Sequence, residues 1–409
     1  MSKEPHGTSF LAFFTPFLLV IAAASFLILV SDLDQPLAKQ EINRILCPDT
    51  LEDVVANPHQ RFIVRKDFDP IYDDVARYIS GMPVSDTSKL DKKFRNAPEW
   101  KSFASVSDRR WKHYDSTRVR VLKSWCEKEL EDMNGSMSTL FYPFSGPDIL
   151  NANIFFPDAE TYVMVGLEPV GNVPFIGNDT IDTLSNYLGS VNNSLYAILK
   201  FSFFRTIAMK NDLKSGEVNG TIPLMLIFLA RTGNEILDVK KVRINKEGKL
   251  DYQSGNVPGV EITFRKDTMH PEQKVYYFST DLSNEGMLKT RKEFNTWIKS
   301  LGPVHTYLKS ASYLLHNDFF SETRDRILEQ SQHLLQDDSG IPYRFFPAVE
   351  WDRRLFGVYH GTISLFLKEF QEDYLLAFKT DSLNVRKLPF GIGYKWQQGE
   401  SNLLLAKRK

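Results

Sequence analysis

Apolar and aromatic residues run almost unbroken over residues 138–144 and again over 161–167, as they do in buried strands. Between the two runs lie Phe144-Ser145-Gly146-Pro147-Asp148 and then a short apolar segment, 149–156. Ser145 followed three residues later by Asp148 has the form of a capping box. Pro147 suits an early helical position, where its missing N–H would be unpaired in any case. The stretch 139–171 therefore predicts strand, tight turn, short helix, strand, and the rest of the chain is read around it.

Helical periodicity comes before this stretch. Residues 69–79 set Ile71, Val75, Tyr78 and Ile79 on one face, and 116–130 do the same with Val119, Leu122, Trp125 and Cys126. After it, 182–209 reads as a buried helix or helix pair, and 221–230, TIPLMLIFLA, as an interior strand too short to span a membrane. Residues 236–244, 260–265 and 274–280 predict an antiparallel meander with turns at Gly248 and His270-Pro271. Residues 289–299 and 305–337 predict helix, and 341–346, 355–360 and 390–394 short strands. Irregular alternation with a hairpin run favours an α+β fold, a mixed or antiparallel sheet with packed helices, over a doubly wound one.

The turn at 144–148 has two readings. One is a well-capped helix start. The other is a ligand site, because backbone N–H groups at a helix N-terminus attract anionic groups, although the Asp148 carboxylate competes for them. Ser145 is a poor nucleophile candidate: Pro143 and Pro147 stand where a nucleophile elbow requires glycines. Glu168 follows the second strand, where sites are often built. Further on, His333 and Asp337 are four apart, and on a helix through 336 they would share a face as a metal pair does. Asp337, Asp338 and Arg344 flank a Ser339-Gly340 turn, where a structural ion pair is the commoner outcome. Ser145, Asp148, Glu168, Asp337, Asp338 and Arg344 are thus the binding candidates, provided the fold brings them together. No catalytic residue is assigned.

The strings YPFSGPD and GLEPVG, with LLQDDSGIPYRFF at 334–346 and LPFGIGY at 388–394, resemble an uncharacterised family of exported bacterial proteins with no assigned activity. The resemblance covers most of the chain from about Thr139 onward. It implies an envelope location and no catalytic residues.

Composition narrows the function classes. Fifty basic residues balance fifty-one acidic ones, which gives no support to nucleic-acid binding. Trp100 and Trp111 lie in the basic stretch 92–120, where stacking on sugars or bases competes with ordinary helix packing, the favoured account. Rossmann, P-loop and H-E-x-x-H fingerprints are missing, so no metal is expected and the cofactor is unknown. Gly391-Ile392-Gly393 is only a G-x-G.

Residues 8–31 carry no charge, and at ~1.5 Å per residue a helix over 9–30 crosses a hydrocarbon core of about 30 Å. A retained transmembrane anchor over 1–31 is favoured over a cleaved signal peptide, because 26–30 continue apolar past Ala22-Ala23-Ala24. Lys3, Lys39 and Arg44 do not set the orientation, and a short N-terminus before a single span argues for a body outside the cytoplasm. Cys47 and Cys126 would form one disulfide there. Four N-x-S/T sequons, at Asn134, Asn178, Asn192 and Asn219, match chance and decide nothing. A mostly helical region over 32–133 and an α+β domain over 134–409 complete the expected organisation. The function expected is a membrane-anchored extracytoplasmic protein binding a polar ligand or envelope component. The alternatives are a hydrolase or transferase with paired carboxylates, and a structural partner in an envelope complex.

Overall fold

The computed structural model describes residues 70–134, 138–176, 188–191 and 220–409, all inside one compact unit, Lys66–Lys409. The expected membrane span, Cys47, most of the 182–209 segment and the sequons at Asn178, Asn192 and Asn219 lie outside the described residues. Among the described residues no helix is long and apolar enough to cross a membrane.

The chain is α+β, with a ten-stranded mixed sheet among the described residues, ordered β4-β3-β5-β6-β2-β1-β7-β8-β10-β9. The central strands are β1 (Thr139–Tyr142), β2 (Thr161–Gly166), β6 (Gln273–Ser279), β7 (Val304–Leu308) and β8 (Ser331–Gln336). They pair in parallel. Antiparallel strands flank them. On one side are β3 (Glu235–Ile244), β4 (Leu250–Asp251) and β5 (Val257–Arg265). On the other are β9 (Trp351–Gly357) and β10 (Asn402–Arg408).

Side chains alternate across this sheet with the period of two that strands impose. Leu140, Tyr142, Tyr162, Met164, Tyr307 and Leu335 join one apolar core. Phe141, Val163, Val165, Leu308 and Leu334 join a second core on the other face. The first is closed by α1 (Ile71–Ile79), α2 (Lys92–Asn96), α3 (Pro98–Tyr114), α4 (Arg120–Glu129), α5 (Glu131–Asn134), α6 (Ile149–Phe155) and α7 (Ile222–Arg231). The second is closed by α8 (Lys292–Ser300), α9 (Ser321–Gln330) and α10 (Glu372–Thr380). With both faces covered, β1 and β2 at the centre are apolar on both sides, as buried parallel strands require.

The amphipathic faces read from the sequence are the ones buried: Val75, Tyr78 and Ile79 on α1, and Leu122, Trp125 and Cys126 on α4. A π-helical turn, Asp115–Val119, joins α3 to α4, and its Arg118 donates to the Gly391 carbonyl at 2.6 Å. Trp100 is a packing residue. Its ring stacks on Tyr78 at 5.2 Å, and its indole N–H donates to the Tyr78 carbonyl at 3.0 Å. Cys126 is buried and has no disulfide partner among the described residues, and burial pushes its pKa up; its expected partner Cys47 lies outside the described residues.

Four expected elements are corrected. Residues 221–230 form helix α7, not a strand. Leu, Met and Ala favour helix and Pro223 sits in the first turn. Every position from Ile222 to Ala230 is buried, so the run shows no helical period. Residues 305–337 are not one helix, because they contain β7, α9 and β8. Residues 341–346 and 390–394 are not strands. The first holds a 3-10 turn, Tyr343–Phe345, and the second only an isolated bridge, Ile392↔Lys395.

Candidate functional site

The chain leaves β1 through α6 to pair β2 on one side, and returns after the meander to place β7 on the other side. Strand order thus reverses at β1, and ligands of open α/β sheets bind in the crevice outside the carboxyl ends at such a point. A cavity of about 170 Å³ lies there, lined among others by Ser145, Asp148, Glu168, Thr280, Lys309 and Ser310.

Two turns build it. Among the described residues four non-glycine positions have positive φ: Phe144 at 60°, Ser310 at 54°, Ser312 at 54° and Tyr313 at 55°. All four lie in the turns after β1 and β7. Left-handed backbone costs L-residues on the order of 1–2 kcal/mol each, and such strain gathers where a site is held in a fixed shape.

Asp148 is the N-cap of α6, accepting from the Asn151 N–H at 3.2 Å. The rest of its oxygen capacity is also in use. Asn151 Nδ2 donates to Oδ1 at 2.9 Å, Tyr142 OH donates to Oδ2 at 2.9 Å, and Lys309 Nζ lies 2.5 Å from Oδ2. Both members of the ion pair are almost completely buried, at 2% and 1% side-chain exposure. Burial, and then the Asp148 charge, hold the Tyr142 phenol protonated.

The capping box is corrected accordingly. Ser145 does not cap α6. Its Oγ accepts from Val165 N at 3.1 Å and donates to Val165 O at 3.2 Å, tying the turn to β2. Pro147 precedes the cap instead of opening the helix. The anion reading of this helix start falls with it, since Asp148 itself takes the donor.

Glu168 is buried at the end of β2. Tyr277 OH donates to its carbonyl at 2.9 Å and lies 3.4 Å from Oε2. A Cβ at Gly166 would stand 2.4 Å from Glu168 Oε2, so glycine at this position makes room for the carboxylate. Thr280 and Ser310 also line the cavity, and their hydroxyls are buried without a hydrogen-bond partner. Buried polar atoms are normally paired, and Thr280 is only 5% exposed.

Asp337 directly follows β8, and its carboxylate holds the Ser310 turn. Its Oδ2 accepts from Ser310 N at 2.9 Å and its Oδ1 from Ser339 N at 3.0 Å. Burial, reinforced by the neighbouring Asp338 charge, pushes its pKa up to about 6. Asp338 accepts from Tyr313 OH at 2.6 Å and Asn402 Nδ2 at 3.0 Å, and pairs with Lys395 at 3.0 Å.

The structure therefore brings Ser145, Asp148 and Glu168 to one cavity, with Asp337 and Asp338 supporting the adjoining turn. Arg344 does not join them. It is exposed on its 3-10 turn, 5.1 Å over the Phe345 ring, and Lys395 supplies the cation at Asp338. The helical His333–Asp337 pair is also corrected, because both residues belong to β8 and the turn after it. His333 Nδ1 faces His305 Nδ1 at 3.0 Å instead. Among the described residues no three His, Cys, Asp or Glu side chains are placed to hold a metal ion.

Lys309, Thr280 and Ser310 were not legible as site residues. The signal for Lys309 and Ser310 is the change from strand alternation at 304–308 to Lys-Ser-Ala-Ser, a helix start or a turn when read locally. No protein-family model, curated protein or solved structure matches the chain.

Proposed function

We propose that the protein binds a small polar ligand in the crevice at the carboxyl ends of β1, β2, β6 and β7. We further propose that it is held at a membrane by residues 9–30, with its body outside the cytoplasm. One observation carries the binding reading. The Asp148–Lys309 pair, the Glu168 carboxylate and two unpartnered hydroxyls converge on one cavity at the point where strand order reverses. At about 170 Å³ the cavity has roughly six waters' share of liquid volume, which suits a small molecule or one head group.

Binding is favoured over hydrolysis by paired carboxylates. A general base needs a lone pair directed at the substrate, and the Asp148 oxygens are occupied by Asn151, Tyr142 and Lys309.

The test is a small-molecule screen by crystallography or methyl NMR on the wild type and on the Thr280→Val/Ser310→Ala variant. Polar fragments should occupy the crevice of the wild type with at least tenfold loss in the variant. A screen whose hits all lie elsewhere refutes the reading. For the topology, the intact chain should fractionate with membranes and its body should be accessible to protease only from the non-cytoplasmic side, whereas recovery of a soluble product starting near Ser25 defeats the anchor.

A further inference from the structure

We infer that the ligand of this crevice is an amphiphile, a hydroxyl-bearing head group joined to an apolar chain; the inference rests on the binding reading above. The cavity is lined both by polar residues, among them Glu168, Thr280, Lys309 and Ser310, and by apolar ones, Phe144, Leu167, Leu282, Leu314 and Phe320.

Leu167 is the first residue past β2 and is 68% exposed at the cavity edge. A scattered exposed leucine needs no explanation, but this one lines the same cavity as four other apolar side chains. Phe144 adds an independent observation. A bulky residue at φ 60° is strained where glycine would be comfortable. What glycine lacks is the ring, and the Phe144 ring meets Phe320 edge-on at 5.9 Å. That ring packs with Phe320 against the second apolar core and also lines the cavity, so it sets an apolar surface beside the cavity's polar groups. A wholly polar ligand would leave that surface wet, and a wholly apolar one would leave the Thr280 and Ser310 hydroxyls unpaired. The volume places the parts: about 170 Å³ accommodates a head group of a few heavy atoms, and a chain attached to it leaves across Leu167.

The experiment uses two head groups, glycerol and methyl glucoside, each free and as alkyl ethers or glycosides with four and eight carbons, all below their micelle concentrations. Binding to the full chain is measured by calorimetry, and the bound position is read from methyl NMR shifts. Affinity should rise about two- to fourfold per methylene. Leu167→Ser, a change at an exposed position, should flatten that slope. Leu383→Ser, 98% exposed and outside the cavity, should not change it. Head groups that bind in the crevice with no gain from the chain, or a slope that Leu167→Ser leaves intact, overturn the amphiphile while the polar site stands. If neither head group nor amphiphile shifts the crevice, the inference fails together with the binding reading.

Discussion

Replacing Asp148 with asparagine changes one charge and almost no volume, and so isolates the buried ion pair. Asparagine is as good an N-cap as aspartate, so α6 keeps its cap and its Asn151 contact. The change removes the carboxylate 2.5 Å from Lys309 Nζ, where both side chains are at most 2% exposed. Removing one partner of a buried pair costs about 3–5 kcal/mol, because the other charge stays desolvated. Of this, about 1 kcal/mol is the weakening of the Tyr142 hydrogen bond as its acceptor becomes neutral. Against a total domain stability of about 5–15 kcal/mol, the loss is large. Lys309→Met alone should be similarly costly. The double variant Asp148→Asn/Lys309→Met should recover most of it, because neutral groups in place of a buried pair are often tolerated. Urea unfolding at pH 7, followed by tryptophan fluorescence on the four proteins, gives the coupling energy. A single variant within about 1 kcal/mol of wild type, with a double variant no more stable than either single one, would refute the reasoning.

Gly166→Ala should displace the Glu168 carboxylate, since the added methyl would sit 2.4 Å from Oε2 and 2.8 Å from Tyr277 OH. Small-molecule affinity should fall more than tenfold with the fold retained by circular dichroism, and unchanged affinity would remove Glu168 from the site. Asp337 has a folded pKa of about 6, raised above the ordinary carboxylate value by burial and then by Asp338. The folded state therefore holds a proton that the unfolded chain has released, and stability falls as pH rises from about 4 through 6. The difference in unfolding free energy between wild type and Asp337→Asn should move in the wild type's disfavour across that window. Burial, and then His305, pull the His333 pKa down to about 4, an effect of opposite sign. It is common to both proteins and cancels in the difference, so a flat difference curve would contradict the Asp337 assignment.

Local patterning alone determined several elements of this protein. The faces of α1 and α4, the strand-turn-helix-strand of β1, α6 and β2, and the β3-β5-β6 meander follow from periodicity and turn residues. Each of these buries one stripe or lies beside its own turn, so the pattern and the structure share a period. α7 was misread for the opposite reason: with every position from Ile222 to Ala230 buried, hydrophobicity stops distinguishing 3.6 from 2. β7 and β8 were absorbed into an expected helix, because parallel strands gain their hydrogen bonds only from partners distant in sequence. β10 was missed, and its partners β8 and β9 are likewise separate from it in the chain. The site divides in the same way. Ser145, Asp148 and Glu168 were legible because they flank a turn and strand ends in one contiguous stretch. Lys309, Thr280 and Ser310 complete it only because the tertiary structure sets β6 and β7 on opposite sides of the β2-β1 pair. The same placement decides the chemistry of Asp148, since a carboxylate that is a helix cap in the sequence becomes half of a desolvated ion pair once Lys309 arrives from the neighbouring strand.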